Sequence, residues 1–209
     1  MKNLLYSLLF TFTALSCKAQ NPIISLFDGN EYLKTENAYY KDTYNDFDRF
    51  VGTWKFTDGN EEFTMILKKK VQHQFTYINR TYYEDTMYGE YQYIDENGNE
   101  LVNTLSNIDN TVTNISEHKI FGSSIIPYKF LPKCEDCLSD ERRLELSITD
   151  PNREYLNTNI VLRTIPNLTN ATINDIELKL TLDYSIIPDG APTLPRVLEY
   201  YTIYRLIKQ

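Results

Sequence analysis

From Trp54 onward apolar and polar residues alternate along the chain. Trp54 and Phe56 share one face, and Phe63, Met65 and Leu67 share one face while Thr64, Ile66 and Lys68 share the other. A period of two is that of a half-buried strand. Asp58-Gly59-Asn60 separates these two runs, and such residues accept the positive φ that a tight hairpin turn demands. The triplet Lys68-Lys69-Lys70 predicts a solvated strand end that resists edge pairing. Strand-like runs follow at residues 74–83, 87–94, 100–105, 111–121, 143–149, 159–164, 175–183 and 200–207, so the domain should hold about ten strands. Asn97-Gly98 predicts another hairpin, Asp150-Pro151-Asn152 starts a connection, and the segment 187–195, with Pro188, Pro192 and Pro195, cannot be a central strand. No segment carries a convincing helical stripe. An all-β chain of about ten antiparallel strands must protect its edges, either by closing into a barrel or by stacking as a sandwich.

The ends of the chain read differently. Lys2 followed by an apolar run from Leu4 to Leu15 and by Ser16-Cys17-Lys18-Ala19 has the form of a bacterial export signal, too short to span a bilayer. Residues 1–16 are therefore expected to be a signal peptide. Cys17 stands where a lipoprotein peptidase would cut and leave a lipid-bearing N-terminal cysteine, although Ala14-Leu15-Ser16 is a loose lipobox; cleavage after Ala19 is the alternative. Residues 17–45 show neither period and predict a lipid-anchored tether or an arm lying on the domain, which occupies residues 46–209. The expected location is the cell envelope, periplasmic or on the outer membrane, or outside the cell.

Twenty-nine acids against 21 cations give a formal net charge of −8, which disfavours nucleic acid as a partner. The chain holds 17 Tyr and 10 Phe but only 7 Gly, a composition suited to strands. Chemistry is harder to find. Cys134-Glu135-Asp136-Cys137 in an oxidising compartment reads first as a local disulfide between Cys134 and Cys137. Zinc ligation, redox catalysis and free thiols are the alternatives, the second weakened by the acids that raise a thiol pKa. Ser116-Glu117-His118 would place Ser and His on one strand face, and acids such as Asp85 and Glu90 offer paired carboxylates. Solvated side chains account for both more simply. Asp95 to Glu100 hints at a calcium loop, but its Gly stands fourth instead of sixth, as in a hairpin. Phe75, Tyr77, Tyr82, Tyr83, Tyr88, Tyr91 and Tyr93 form an aromatic series that either packs across strands or lines a ligand surface. No motif of an enzyme is present, and neither a cofactor nor catalysis is expected.

Two resemblances add to this reading. Phe50-Val51-Gly52-Thr53-Trp54-Lys55-Phe56 resembles the first-strand signature of the calycin superfamily, the lipocalins and fatty-acid-binding proteins. In that superfamily an Arg on the last strand packs over the Trp and closes the barrel, and the resemblance implies Trp54 and Arg205 in these roles, the latter within Tyr201-Thr202-Ile203-Tyr204-Arg205-Leu206. Blocks through the chain, among them Tyr88-Gly89-Glu90-Tyr91-Gln92-Tyr93, Asn103-Thr104-Leu105-Ser106-Asn107 and Asp189-Gly190-Ala191-Pro192, resemble a family of uncharacterised exported proteins of the Bacteroidota, a domain of unknown function. That second resemblance implies no catalytic residue. The expectation is a calycin-like barrel with a non-catalytic binding role, its apolar small ligand entering past the loop at 188–195. The alternative is a surface module that contacts proteins or glycans.

Overall fold

The computed structural model describes residues 21–27, 34–110, 114–127, 129–170 and 174–209; the export signal and Cys17 lie outside the described residues. Among the described residues eleven strands follow one another: β1 (Ile23–Ser25), β2 (Tyr39–Lys41), β3 (Gly52–Asp58), β4 (Glu61–Tyr77), β5 (Arg80–Ile94), β6 (Glu100–Asn103), β7 (Ile120–Pro127), β8 (Arg142–Ile148), β9 (Thr158–Pro166), β10 (Asn174–Leu182) and β11 (Ile203–Lys208). Eight of them close a barrel. Going round it, β3, β4, β5, β7, β8, β9, β10 and β11 pair antiparallel in chain order, and β11 returns to β3. The up-and-down order and the closure of the first barrel strand on the last are those expected of a calycin-like barrel. Closure leaves no open edge among these eight.

Register decides what the barrel contains. Phe63 faces Tyr93, Met65 faces Tyr91 and Leu67 faces Gly89 across the β4–β5 pair, and the same parity carries Leu144, Leu162 and Leu178 inward on β8, β9 and β10. Apart from Tyr93, at 8%, these inward side chains are 0% exposed, and with Trp54, Met87, Leu146, Ile160 and Leu206 they belong to a single hydrophobic cluster. The interior is a packed core. Gly89 is required there: a Cβ at this position would lie 2.4 Å from the Ile66 carbonyl oxygen and 2.7 Å from Leu67 Cδ2.

One end of the barrel is closed by the segment before β3. Phe47 and Phe50 are fully buried, and two buried carboxylates tie this segment to the long β4–β5 hairpin. Asp42 accepts the Asp46 and Phe47 N–H groups at 2.9 and 3.1 Å and pairs with Lys69 at 3.0 Å. Asp85 accepts from the Tyr39 hydroxyl at 2.6 Å and from the Asp42 and Gln72 N–H groups at 3.0 and 2.9 Å. The arm thus adds β2 to β5 and β1 to β2, both in parallel.

Three local expectations are corrected. Lys68, Lys69 and Lys70 lie within β4, before a bulge between Lys70 and His73, instead of ending a strand. Lys68 and Lys69 are paired to Asp109 and to Asp42 and Asp48, which neutralises the charge that was expected to face solvent. The run 74–83 is no single strand, because Ile78 and Asn79 take φ of 46° and 61° and turn the chain between β4 and β5. Within 111–121, Ile115–Glu117 is a 3-10 turn capped by Asn114, and β7 begins at Ile120; residues 111–113 lie outside the described residues.

Candidate functional site

The barrel closes where the Gly-x-Trp resemblance placed the closure, but with a different cation. Trp54 is opposite Lys208 across the β3–β11 pair, its Nε1–H donates to the Phe50 carbonyl at 2.8 Å, and the Lys208 ammonium sits 5.2 Å from the centroid of its ring. Arg205 does not pack over the indole. It stands three residues before Lys208, and strand side chains alternate, so it emerges on the outer face. There its Nε donates to the buried Asp175 at 2.9 Å and its Nη2 to the Pro166 carbonyl at 2.6 Å. Gly52 takes φ +137°, and a Cβ on it would meet Lys208 Cε at 2.9 Å. Glycine therefore leaves the space that lets the lysine stem cross to the indole.

The groups singled out for catalysis are dispersed. Ser116 sits in the 3-10 turn with its N–H on Asn114, while His118 Nδ1 is 2.8 Å from Glu90 Oε1 in a buried pair under Tyr88. Asp85 and Glu90 are five residues apart on β5 and so face opposite ways. They are no carboxylate pair. Asp95 accepts from the Asn99 side-chain amide at 3.1 Å and from the Asn99 and Asn97 N–H groups at 2.8 and 3.0 Å and makes the β5–β6 turn, and these hydrogen bonds, that of the Asn99 amide foremost, hold its carboxyl below the usual range. Among the described residues no group of three or more His, Cys, Asp or Glu is placed to hold a metal ion. The aromatic series divides by parity: Tyr91 and Tyr93 turn inward, Tyr88 outward onto His118, and Phe75 stacks on Tyr82 at 5.5 Å near the hairpin tip.

Cys134 and Cys137 are joined in a disulfide, as expected, and the loop that carries them roofs a groove on the outer wall. Two arginines from the wall hold the roof. Arg143 of β8 is buried and donates to the carbonyls of Pro132, Phe130 and Pro127 at 2.6, 2.7 and 3.2 Å. Arg163 of β9 reaches both sulfurs, at 3.2 and 3.4 Å, and pairs with Asp136 at 2.6 Å and with Glu177. Partial burial pulls the Arg163 guanidinium down, but the hydrogen bonds it donates to Glu177 and Asp136 outweigh this and leave its pKa above that of an ordinary arginine. The Arg163 hydrogen bond in turn holds the Asp136 carboxyl below its usual range.

The groove encloses about 560 Å³, with Leu131, Pro132, Val161, Tyr201 and Ile203 as its apolar lining and Lys133 and Lys179 among its polar residues. That volume is within the range of small-molecule sites. Tyr201 adopts φ +62°, a left-handed conformation that costs a non-glycine residue about 1–2 kcal/mol. It presents a largely exposed ring at the groove's edge. Sequence reasoning found the cysteines but not this groove, because its parts come from β9, β10, the loop before β8 and the residues before β11. The only local signal was the apolar residues Tyr201 and Ile203 on the outward parity of a terminal strand.

A recess of about 610 Å³ at one end of the barrel has the opposite character. Phe56, Tyr93 and Tyr204 line it together with Asp58, Glu61, Asp95, Glu96 and Glu199. Tyr93 and Tyr204 are committed there, the first donating to Glu61 and the second accepting from the Glu199 N–H, both at 2.8 Å.

Neither the curated proteins nor the solved structures include a match to this chain. Residues 1–197 match a family of unknown function, DUF6705, and the chain belongs to that family.

Proposed function

We propose that this is an exported, lipid-anchored protein of the cell envelope with a non-catalytic binding role, and that it seats an apolar small ligand in the groove outside the barrel wall. The observation that carries the reading is the groove itself: an apolar recess of about 560 Å³ beneath a loop braced by a disulfide and two arginines. A braced roof reduces the ordering cost of binding. The barrel interior is a weaker candidate, since its inward positions are filled by large buried side chains. Export and anchoring rest on residues 1–17, and the disulfide is in keeping with an oxidising compartment.

Two experiments test this. Metabolic labelling with a fatty acid should mark the wild-type protein and not Cys17→Ser; an unlabelled wild type beginning at Gln20 would favour ordinary signal cleavage. A neutral apolar dye such as Nile red should brighten on binding, and Ile203→Asp, on the outward face of β11, should weaken it by about tenfold, roughly 1.4 kcal/mol. Unchanged binding by that variant would remove the groove as the site.

The second reading, a surface that contacts glycans or proteins, is favoured by the ring row at the β4–β5 tip. His73, Tyr82 and Phe121 each contact Phe75 there, which lies 4.7 Å from His73, 5.5 Å from Tyr82 and 6.2 Å from Phe121. A Phe75→Ala variant that lost binding to a glycan array would support it.

A further inference from the structure

The groove's ligand can be described more narrowly from the charges around it. This rests on the groove being the binding site. Four cations line the groove, Lys133, Arg143, Arg163 and Lys179, against three acids, Glu135, Asp136 and Glu177. Two of the acids are used by Arg163, and Arg143 is spent on the loop carbonyls. Lys133 and Lys179 are different. Among the described residues neither has a carboxylate within ion-pair distance, although the chain holds 29 acids against 21 cations. Lys55, Lys68, Lys69 and Lys119 reach Glu62, Asp109, Asp42 and Asp48, and Glu154; among the described residues Lys41, Lys70 and Lys129 reach none either, but none of these three lines the groove. An acid-rich protein that leaves two ammonium groups unmatched beside an apolar recess offers complementarity to an anion attached to an apolar body.

We infer that the groove takes a single-chain anionic amphiphile, its chain on Leu131, Val161, Tyr201 and Ile203 and its acid head between Lys133 and Lys179. Lysine suits this head. An ammonium is a point charge on a flexible stem that follows a carboxylate into place without the planar geometry an arginine imposes. The lone uncommitted acid on the lining, Glu135, opposes the head, so its removal should strengthen binding.

Decanoate, 1-decanol and decyltrimethylammonium, each titrated against bound Nile red at pH 8, separate the chain from the head. Decanoate should displace the dye at a concentration about tenfold lower than decanol, with the quaternary amine weakest. The advantage should shrink as salt is raised, as exposed charge pairs require. Lys133→Glu and Lys179→Glu should abolish the advantage while leaving decanol unchanged, and Glu135→Gln should enlarge it; unaltered thermal midpoints verify that the variants fold. Equal displacement by decanoate and decanol would overturn the anionic head and leave the apolar groove standing. Displacement led by the quaternary amine would overturn it as well. If none of the three displaces the dye, the groove reading falls and this inference with it.

Discussion

Lys208 supplies the cation above Trp54, and Gly52 the room for it, so the residue-scale account of barrel closure is a set of three residues that can be tested separately. A double-mutant cycle of Trp54→Leu with Lys208→Met should reveal a coupling of about 0.5–1 kcal/mol. The cycle of Trp54→Leu with Arg205→Met should be additive to within about 0.5 kcal/mol, because Arg205 faces the other way. Arg205→Met should still cost about 1–3 kcal/mol by removing a donor from the buried Asp175. Chemical denaturation measures all of these. Gly52→Ala should destabilise by about 1–3 kcal/mol through its positive φ, and adding Lys208→Ala should recover little, since relieving the contact leaves the backbone strain. Trp54 as the closing residue was legible in the Gly-x-Trp sequence. The cation was not, because a pattern that names a residue type says nothing about its parity when a lysine three positions further on lies on the inward face.

At the scale of elements the most misleading stretch was the hairpin tip. Ile78 and Asn79 both occupy left-handed φ, yet Ile is a strand former and gives no turn signal. The alternation therefore read straight through from residue 74 to 83. Ile78 is largely exposed and packs little, so Ile78→Asn should raise stability by about 1 kcal/mol, visible as a higher denaturation midpoint. The neighbouring elements were better marked: Asp58-Gly59-Asn60 and Asn97-Gly98 produced the turns their sequences predict, and β8, β9 and β10 fell close to the expected spans, while β5 starts at Arg80, seven residues before the expected run. β1 and β2 escaped notice, because three-residue strands carry too few positions to show a period. The disulfide loop belongs to this scale too. Closing so short a loop contributes about 2 kcal/mol in the chain-entropy account, and Arg143 holds the loop through three carbonyls without the sulfurs. Reduction should leave the barrel's circular dichroism unchanged and weaken Nile red binding by about three- to tenfold.

The whole molecule is a tyrosine-rich barrel, and that sets its response to alkali. Burial first, and then the hydrogen bond to Asp85 for Tyr39 and to Glu61 for Tyr93, raise their pKa values; burial, with the charges of Asp150 and Glu90, raises that of Tyr91. Each is protonated in the folded state where the unfolded chain, titrating near about 10, has begun to lose its proton. The native state then binds more protons, so stability is full below about pH 10 and falls as pH rises beyond it. Tyr91→Phe and Tyr93→Phe should each flatten that fall in urea midpoints measured from pH 8 to 11. Closure of the barrel was foreseeable from the count of alternating runs, but the groove was not, because it depends on which strands become neighbours. The central claim, that ligand binds outside a filled barrel, is tested most directly by mapping backbone amide shifts in NMR while decanoate is added. The largest changes are expected at residues 131–136, 161–163, 177–179 and 201–203, with Met65, Tyr91 and Leu146 still. Changes led by those inward residues, with the outer groove quiet, would contradict it.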